Sequence, residues 1–267
     1  MPAGVLKSGP ARPTLDNVTL VAITGVAITA TVRALAKSME QARFGRVLLL
    51  SDNPPPAVSA VAGSEAIEWR QIAPIRSRNQ YSRFILDHLA GHVDTRFALV
   101  AQWDGYVLDG SRWRDEFLEY DYVGAPWPQF DDGRTVGNGG FSLRSKRLLE
   151  ACRGMPLRNN EPEDVLICRT ARADLERYHG LRFAPENLAR SFAYERTKKQ
   201  GDEFGFHGVF NMIHDMPPDE FASLLATLEP RLLGRRESGE ILREALRRRH
   251  LPTLVQALRQ KFSRQRS

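Results

Sequence analysis

The sequence predicts a single α/β domain with a mostly parallel central sheet, followed by a basic helical tail. Three features predict it: short β-branched runs that end in turn residues, helical apolar spacing between those runs, and a concentration of positive charge after residue 230.

Residues 18–24 (VTLVAIT) are ended by Gly25, and residues 46–51 (RVLLLS) by Asp52, Asn53 and three prolines. Both runs read as buried strands. Between them, residues 30–43 set Val32, Leu35, Ala36 and Met39 at helical spacing, which makes a strand–helix–strand unit with parallel pairing. Residues 67–72 read as a weaker strand, 79–89 as a helix and 97–102 (FALVAQ) as another buried strand. A short helix near 113–117 follows, then a strand over 120–125 stopped by Pro126 and Pro128, then a Gly-rich segment over 136–142. Residues 143–152 and 163–179 are expected as helices, and 218–228 as an amphipathic one. Glu229-Pro230 is the natural boundary between a domain over 14–230 and a tail over 231–267. In the tail, Ile241, Leu242, Ala245 and Leu246, then Leu251, Leu254, Val255, Leu258 and Phe262, alternate with arginines as two amphipathic helices.

The charge is divided unequally. Residues 231–267 hold 11 Lys and Arg against 3 Asp and Glu, a net +8, so a chain of net +6 leaves −2 for the first 230 residues. A nearly neutral body with clustered acids repels a phosphate backbone, so nucleic acid is not an expected partner. The tail instead suits peripheral association with an anionic membrane surface, and as an appendage it is expected to be dispensable for folding. No run reaches the roughly 20 apolar residues of a membrane span. Residues 1–13 lack the pattern of a secretory signal, and Cys152 and Cys168 fit reduced thiols, so a soluble, cytoplasmic protein is expected.

Several residues could carry chemistry. Gln102 and Asp104 supply two side-chain oxygens at a strand end, where open parallel sheets bind ligands; Asp104-Gly105 is equally a turn. In Asn138-Gly139-Gly140 the backbone can approach a ligand closely beside an amide that donates and accepts, and a tight hairpin explains these residues as well. Glu163 and Asp164 open a helix behind Pro162; either could deprotonate a hydroxyl, and helix-dipole stabilisation is the plainer account. His207, between glycines and aromatics, could ligate a metal, although a lone histidine is more often structural. Trp103 belongs to an aromatic-rich segment that could stack on a sugar or pack in the core.

The run Tyr81-Ser82-Arg83-Phe84, then AQWDGYVLDGSRWRDEFLEYDYVGAPW, VGNGGFSLRS, PEDV and FGFHG, resembles a bacterial family of glycosyltransferase-like proteins long labelled as a domain of unknown function. The resemblance spans roughly residues 18–212. It implies a GT-A type fold and transfer of a sugar from a nucleotide-sugar donor to a glycan or lipid-linked acceptor in polysaccharide synthesis. The usual cofactor is a divalent metal, Mn²⁺ or Mg²⁺, held by an aspartate-containing motif. Asp104 matches the last aspartate of that motif, whereas Gln102 departs from its acidic first position. Carried over, the donor and acceptor pocket falls on Asn138, Gly139 and Gly140, the base on Asp164 with Glu163 in support, and the late metal ligand on His207. Thr24 and Asp52 occupy the strand ends where a nucleoside is contacted, and Tyr81 and Arg83 lie on the preceding helix, Arg83 within reach of a diphosphate. A base at Asp164 implies inversion by direct displacement; without it a retaining route stays open. Gln102 keeps alive the alternative of an inactive nucleotide- or glycan-binding protein.

Overall fold

A computed structural model describes residues 12–55, 66–158 and 161–263. Arg264 and Arg266 of the basic tail lie outside the described residues. The chain opens with β1 (Thr14–Thr24), α1 (Ile28–Gln41), β2 (Arg43–Ser51), β3 (Glu68–Gln71), α2 (Arg78–Asp87), α3 (Leu89–His92) and β4 (Phe97–Ala101). It continues through β5 (Tyr122–Gly124), β6 (Phe141–Ser145), α4 (Lys146–Ala151), α5 (Glu163–Val165), a π-turn at Leu166–Thr170, α6 (Arg172–His179) and α7 (Glu186–Phe192). A parallel pair, β7 (Ala193–Tyr194) and β8 (Gly205–Phe206), precedes α8 (Val209–Met212), α9 (Pro218–Thr227), α10 (Arg235–Arg248) and α11 (Leu251–Ser263).

The predicted class holds: α/β, one mostly parallel sheet and a helical C-terminal tail. Six strands lie in the order β3-β2-β1-β4-β6-β5, with β1 to β4 parallel and β6 antiparallel to both neighbours. Alternation along β1 explains the layers. Leu20 and Ala22 face one apolar cluster with Leu35 of α1 and Phe192 of α7. Val21 and Ile23 face another with Ile85 and Leu89 of α2 and α3. Both faces are covered, so the central strands read as continuous apolar runs.

The strand order reverses direction between β1 and β4. From β1 the chain steps outward to β2 and β3, then returns to the other side as β4. A crevice therefore opens at the carboxyl ends of β1 and β4, beyond Thr24 and Ala101, and ligands bind at such switch points. Gly25 makes the turn there feasible, since a Cβ on it would lie 1.9 Å from the Ile75 carbonyl oxygen of the loop passing over.

Two expectations are corrected. The apolar spacing across 143–152 reads as helix, but Phe141–Ser145 is a strand paired residue by residue with β4. The helix starts only after Ser145, whose hydroxyl caps it by accepting from the Leu148 amide at 3.1 Å. The helix expected over 163–179 is interrupted by the π-turn.

The C-terminal helices are seated on the body. Ile241, Ala245 and Ala257 are buried in one cluster with Phe221 and Leu225 of α9 and with Tyr194 and Phe206. Gln260 of α11 donates to the carbonyls of Leu225 (2.6 Å) and Leu228 (2.9 Å). A dispensable appendage has no such interface. Ile241→Ala removes a wholly buried side chain from it and is expected to lower stability by about 2–5 kcal/mol, read as a shift of the urea midpoint at unchanged slope. An unshifted midpoint would mean that α10 does not pack as described.

Candidate active site at the carboxyl edge of the sheet

Three segments converge beyond β4. The chain leaves β4 through Gln102, whose amide donates to the Gly140 carbonyl at 2.9 Å, and turns at Gly105, whose amide returns to the Gln102 carbonyl at 3.1 Å. That turn presents Asp104 towards the segment after β8. There the Gly208 amide donates to the Asp104 carbonyl at 2.9 Å, and the Val209 amide to Asp104 Oδ2 at 3.2 Å. The other carboxylate oxygen, Oδ1, is buried without a hydrogen-bond donor and lies 3.3 Å from His207 Nε2, too poorly aligned for a hydrogen bond but close enough for charge attraction.

His207 is held on both edges. Nε2 also stands 3.3 Å from Gln102 Oε1, while Nδ1 lies 3.3 Å from Glu195 Oε1 and 3.3 Å from Asn138 Nδ2. Burial by itself lowers the imidazole pKa, but the carboxylates of Asp104 and Glu195 outweigh it and raise it to about 10. The ring passes against Gly140, where a Cβ would fall 2.0 Å from Nε2, so no larger residue fits. Asn138 sits in the left-handed region (φ 63°), which asparagine tolerates because its own Oδ1 accepts from the amides of Gly140 (3.0 Å) and Phe141 (3.3 Å). It is buried, and in this structure its amide serves the glycine turn and the histidine.

Gln102, Asp104 and His207 are thus brought together, although no sequence spacing joins the third to the first two. Their atoms could hold a divalent cation only once Nε2 has given up the proton that the flanking carboxylates favour: a carboxylate oxygen without a donor and an amide oxygen each lie 3.3 Å from that ring nitrogen. Adjacent ligands of a cation with bonds of about 2.0–2.3 Å stand about 3 Å apart. Among the described residues no group of three or more His, Cys, Asp or Glu side chains is arranged to hold an ion. These three residues alone therefore do not make a complete cation site.

Glu163 and Asp164 have different fates. Glu163 is buried; its Oε1 receives Arg144 at 3.0 Å and its Oε2 the Ser82 hydroxyl at 3.1 Å. Both oxygens of this buried carboxylate are engaged, one of them by a guanidinium, so its expected supporting role as a base gives way to a structural one. Asp164 accepts from the Gly139 amide at 2.8 Å and from Val165 at 2.8 Å. Burial, then the charge on Glu163, pushes its carboxyl up to about 6. Gly139 and Gly140 thereby bridge Asp164 on one side and His207 on the other.

Beside Gln102, at the switch point, lies a cavity of about 300 Å³, which admits a nucleoside-sized ligand. Thr24, Tyr81, Gln102 and Trp103 line it. The Tyr81 hydroxyl is buried without a partner, and burial raises its pKa. The Thr24 hydroxyl closes its own turn, accepting from the Val26 amide at 3.0 Å. Asp52 ends β2 at the same sheet edge with a buried, unpartnered Oδ1, but it is not among the lining residues. Arg83 is also absent from the lining: it donates to the Met155 carbonyl at 3.0 Å and faces Asp87 at 3.6 Å, which corrects its assignment to a diphosphate. The lining cations are Arg76 and Arg78, whose guanidinium groups have no ion-pair partner among the described residues. Sequence reasoning passed over them, and over Glu195, because each stands in a loop or at a helix start without periodicity.

Among solved structures, the crystal structure of the galactosyltransferase LgtC in complex with donor and acceptor sugar analogs is similar at 11% identity and a TM-score of 0.45, covering 83% of this chain and 99% of that one. No curated protein matches the chain. Residues 66–207, just over half of the sequence and all of the site beyond Thr24 and Asp52, match the model of the family described as "Protein of unknown function (DUF5672)", and the chain belongs to that family.

Proposed function

We propose that the protein is a glycosyltransferase of GT-A type, moving a hexosyl group from a nucleotide-diphosphate sugar to a glycan or lipid-linked acceptor in bacterial polysaccharide synthesis. The observation that carries this reading is the junction at the switch point. A nucleoside-sized cavity with two guanidinium groups that have no ion-pair partner among the described residues opens against Gln102 and Trp103, two residues from Asp104 of the Asp104–His207 pair. Nucleoside, diphosphate and sugar would lie across it in that order. Arg76 and Arg78 offer charge-assisted hydrogen bonds to phosphate oxygens. Asp104, His207 and Gln102 would hold Mn²⁺ or Mg²⁺, which when bound neutralises the charge of the departing diphosphate.

Beyond Gly140, Asp164 accepts only from backbone amides and has no ion-pair partner among the described residues, and it is the carboxylate we assign to the acceptor. The Asp164 carboxylate takes the proton of the acceptor hydroxyl as the acceptor oxygen bonds to the anomeric carbon, and the bond from that carbon to the phosphate oxygen breaks with its electron pair leaving on the diphosphate. Direct displacement of this kind inverts the anomeric centre. A second reading, an inactive nucleotide- or glycan-binding protein, is favoured by one observation, the neutral amide of Gln102 at the metal motif. Release of nucleotide from a nucleotide sugar in Mn²⁺ without acceptor separates the two, since a binder releases none.

Asp104→Asn is expected to weaken nucleotide binding about tenfold or more in Mn²⁺ and to change it little in EDTA, because one carboxylate and one imidazole bind a cation mainly together with phosphates. Calorimetric titration of both proteins in both conditions decides it. Equal wild-type affinity with and without metal removes Asp104 from the metal site.

Asp164→Asn is expected to leave donor affinity within about twofold and to cut transfer by about 10² to 10⁴, the usual contribution of a general base. The raised carboxyl also fixes a pH profile. The deprotonated base is present above about 6 and is lost as pH falls through that value, so the wild-type rate should drop on the acid side of 6. Full activity in Asp164→Asn, or a flat wild-type profile, would refute the assignment.

A further inference from the structure

Large apolar side chains that remain exposed are gathered on the two C-terminal helices. Of the six among the described residues, Tyr178 stands apart and the other five are Leu246, Leu251, Val255, Leu258 and Phe262. The last four are spaced four, three and four residues along α11, which places them on one stripe of the helix. The opposite side of α11 is the packed one: Ala257 is buried, Thr253 donates to the Pro218 carbonyl at 3.2 Å, and Gln260 reaches the end of α9. The stripe therefore faces away from the body. At 67% exposure for Leu251 and 59% for Phe262, these side chains bury little of their apolar surface within this chain. Contiguous exposed apolar area of this kind marks an interaction surface.

The charge around the stripe identifies its partner. In helical projection Arg259 and Lys261 stand on either side of it, and neither has an ion-pair partner among the described residues. Arg249 stands at the end of α10, near Leu246 in sequence. The three acids of the tail are already neutralised: Glu237 by Arg196, Glu240 by Arg196 and Arg236, and Glu244 by Arg247 and Arg248. An apolar stripe between two cationic edges with no acid on its face matches a bilayer surface, where the side chains enter the acyl boundary and the cations meet anionic headgroups. A second copy pairing stripe to stripe would bring cation against cation. Among the described residues no helix is long and apolar enough to cross a membrane, so contact is interfacial.

We propose that α11, with Leu246 of α10, is an in-plane docking surface for an anionic lipid bilayer, engaged through Leu251, Val255, Leu258 and Phe262 and oriented by Arg259 and Lys261. This goes beyond the transfer reaction and does not depend on it. It also gives the docked surface a relation to the site. α10 contributes Arg236, Glu240 and Arg243 to a groove that reaches Glu195, the residue against His207 Nδ1. α10, the helix packed against α11, thus borders a groove that ends one residue from the imidazole.

Co-sedimentation of the full chain with vesicles tests it, comparing phosphatidylethanolamine with about 30% phosphatidylglycerol against pure phosphatidylcholine at physiological salt. The wild type is expected to bind the anionic vesicles at least about tenfold better than the neutral ones, and both Val255→Ser/Phe262→Ser and Arg259→Glu/Lys261→Glu are expected to lose about tenfold or more. All four positions are exposed, so unchanged thermal melting and unchanged nucleotide affinity in solution should accompany that loss. The same nucleotide titration reports on the transferase reading separately: absence of nucleotide binding with intact vesicle binding strikes that reading and leaves this one standing. Equal recovery on both lipids, or full binding by the stripe variant, overturns the proposal. So does a concentration-dependent dimer in sedimentation velocity that the stripe variant abolishes, which would assign the stripe to a second copy.

Discussion

The site depends on a buried ion pair that takes no part in its chemistry. Arg144, on the antiparallel strand β6, has no exposed surface, and Glu163 almost none. Bringing both charges out of water is costly, and their attraction offsets it only with further hydrogen bonds in place. Arg144 supplies them to the Ser142 hydroxyl (2.9 Å) and the Gly139 carbonyl (3.2 Å), and Glu163 receives the Ser82 hydroxyl. One pair thus ties β6, α2, the start of α5 and the glycine turn together. Removing either partner would strand the other, at about 3–5 kcal/mol. A hydrophobic pair of the same volume could fill the space, but it would not donate to the Gly139 carbonyl, which shares a peptide plane with the Gly140 amide.

From this anchor the geometry of the cleft follows in steps. With α5 held by Glu163, the adjacent Asp164 is placed against the Gly139 amide and is itself largely removed from water, beside a fixed negative charge. That is the arrangement by which a carboxylate is made a better proton acceptor near neutrality. On the other side of the turn Gly140 lets the imidazole of His207 approach the backbone, and Asn138 takes the left-handed conformation that two-residue reversal demands. The three residues 138–140 therefore form a wall between a raised carboxyl and a carboxylate-flanked imidazole, with the sheet edge beneath.

The fold was largely legible because its signals are local. Runs such as VTLVAIT and RVLLLS declare buried parallel strands, and the position of Asp104 at the end of one of them follows from counting. The convergence of Gln102 and Asp104 with His207, about a hundred residues later, rested on the family resemblance, since nothing in the spacing states it. The division of labour between Glu163 and Asp164 was not legible at all. Adjacent acids at a helix start look alike in sequence, and what separates them is Arg144, a residue whose burial depends on β6 being a strand. The periodicity across Leu143, Leu148, Leu149 and Cys152 mimicked a helix and concealed that strand. Arg83 lies in the family-like run, yet its guanidinium donates to the Met155 carbonyl and faces Asp87, whereas Arg76 and Arg78, which precede that run, line the cavity.

The tail and the cleft share packing, which explains why a basic C-terminal segment is built into this molecule and not merely attached to it. His207 follows directly on Phe206, and its amide donates to the Tyr194 carbonyl at 3.0 Å. Phe206 and Tyr194 stack at 5.9 Å in the cluster that also takes Ile241 and Ala245 from α10. The position of the imidazole is thus supported from behind by the helix whose outer surface carries the arginines. Arg196, next to Glu195, reaches across to Glu237 and Glu240 of the same helix while lying 3.9 Å over the ring of Phe210. A displacement of α10 would therefore be felt at Glu195 and His207 through two short paths, one apolar and one ionic. Packed cores shift between discrete arrangements more readily than they deform, so the seating of α10 and the placement of His207 and Glu195 are set together.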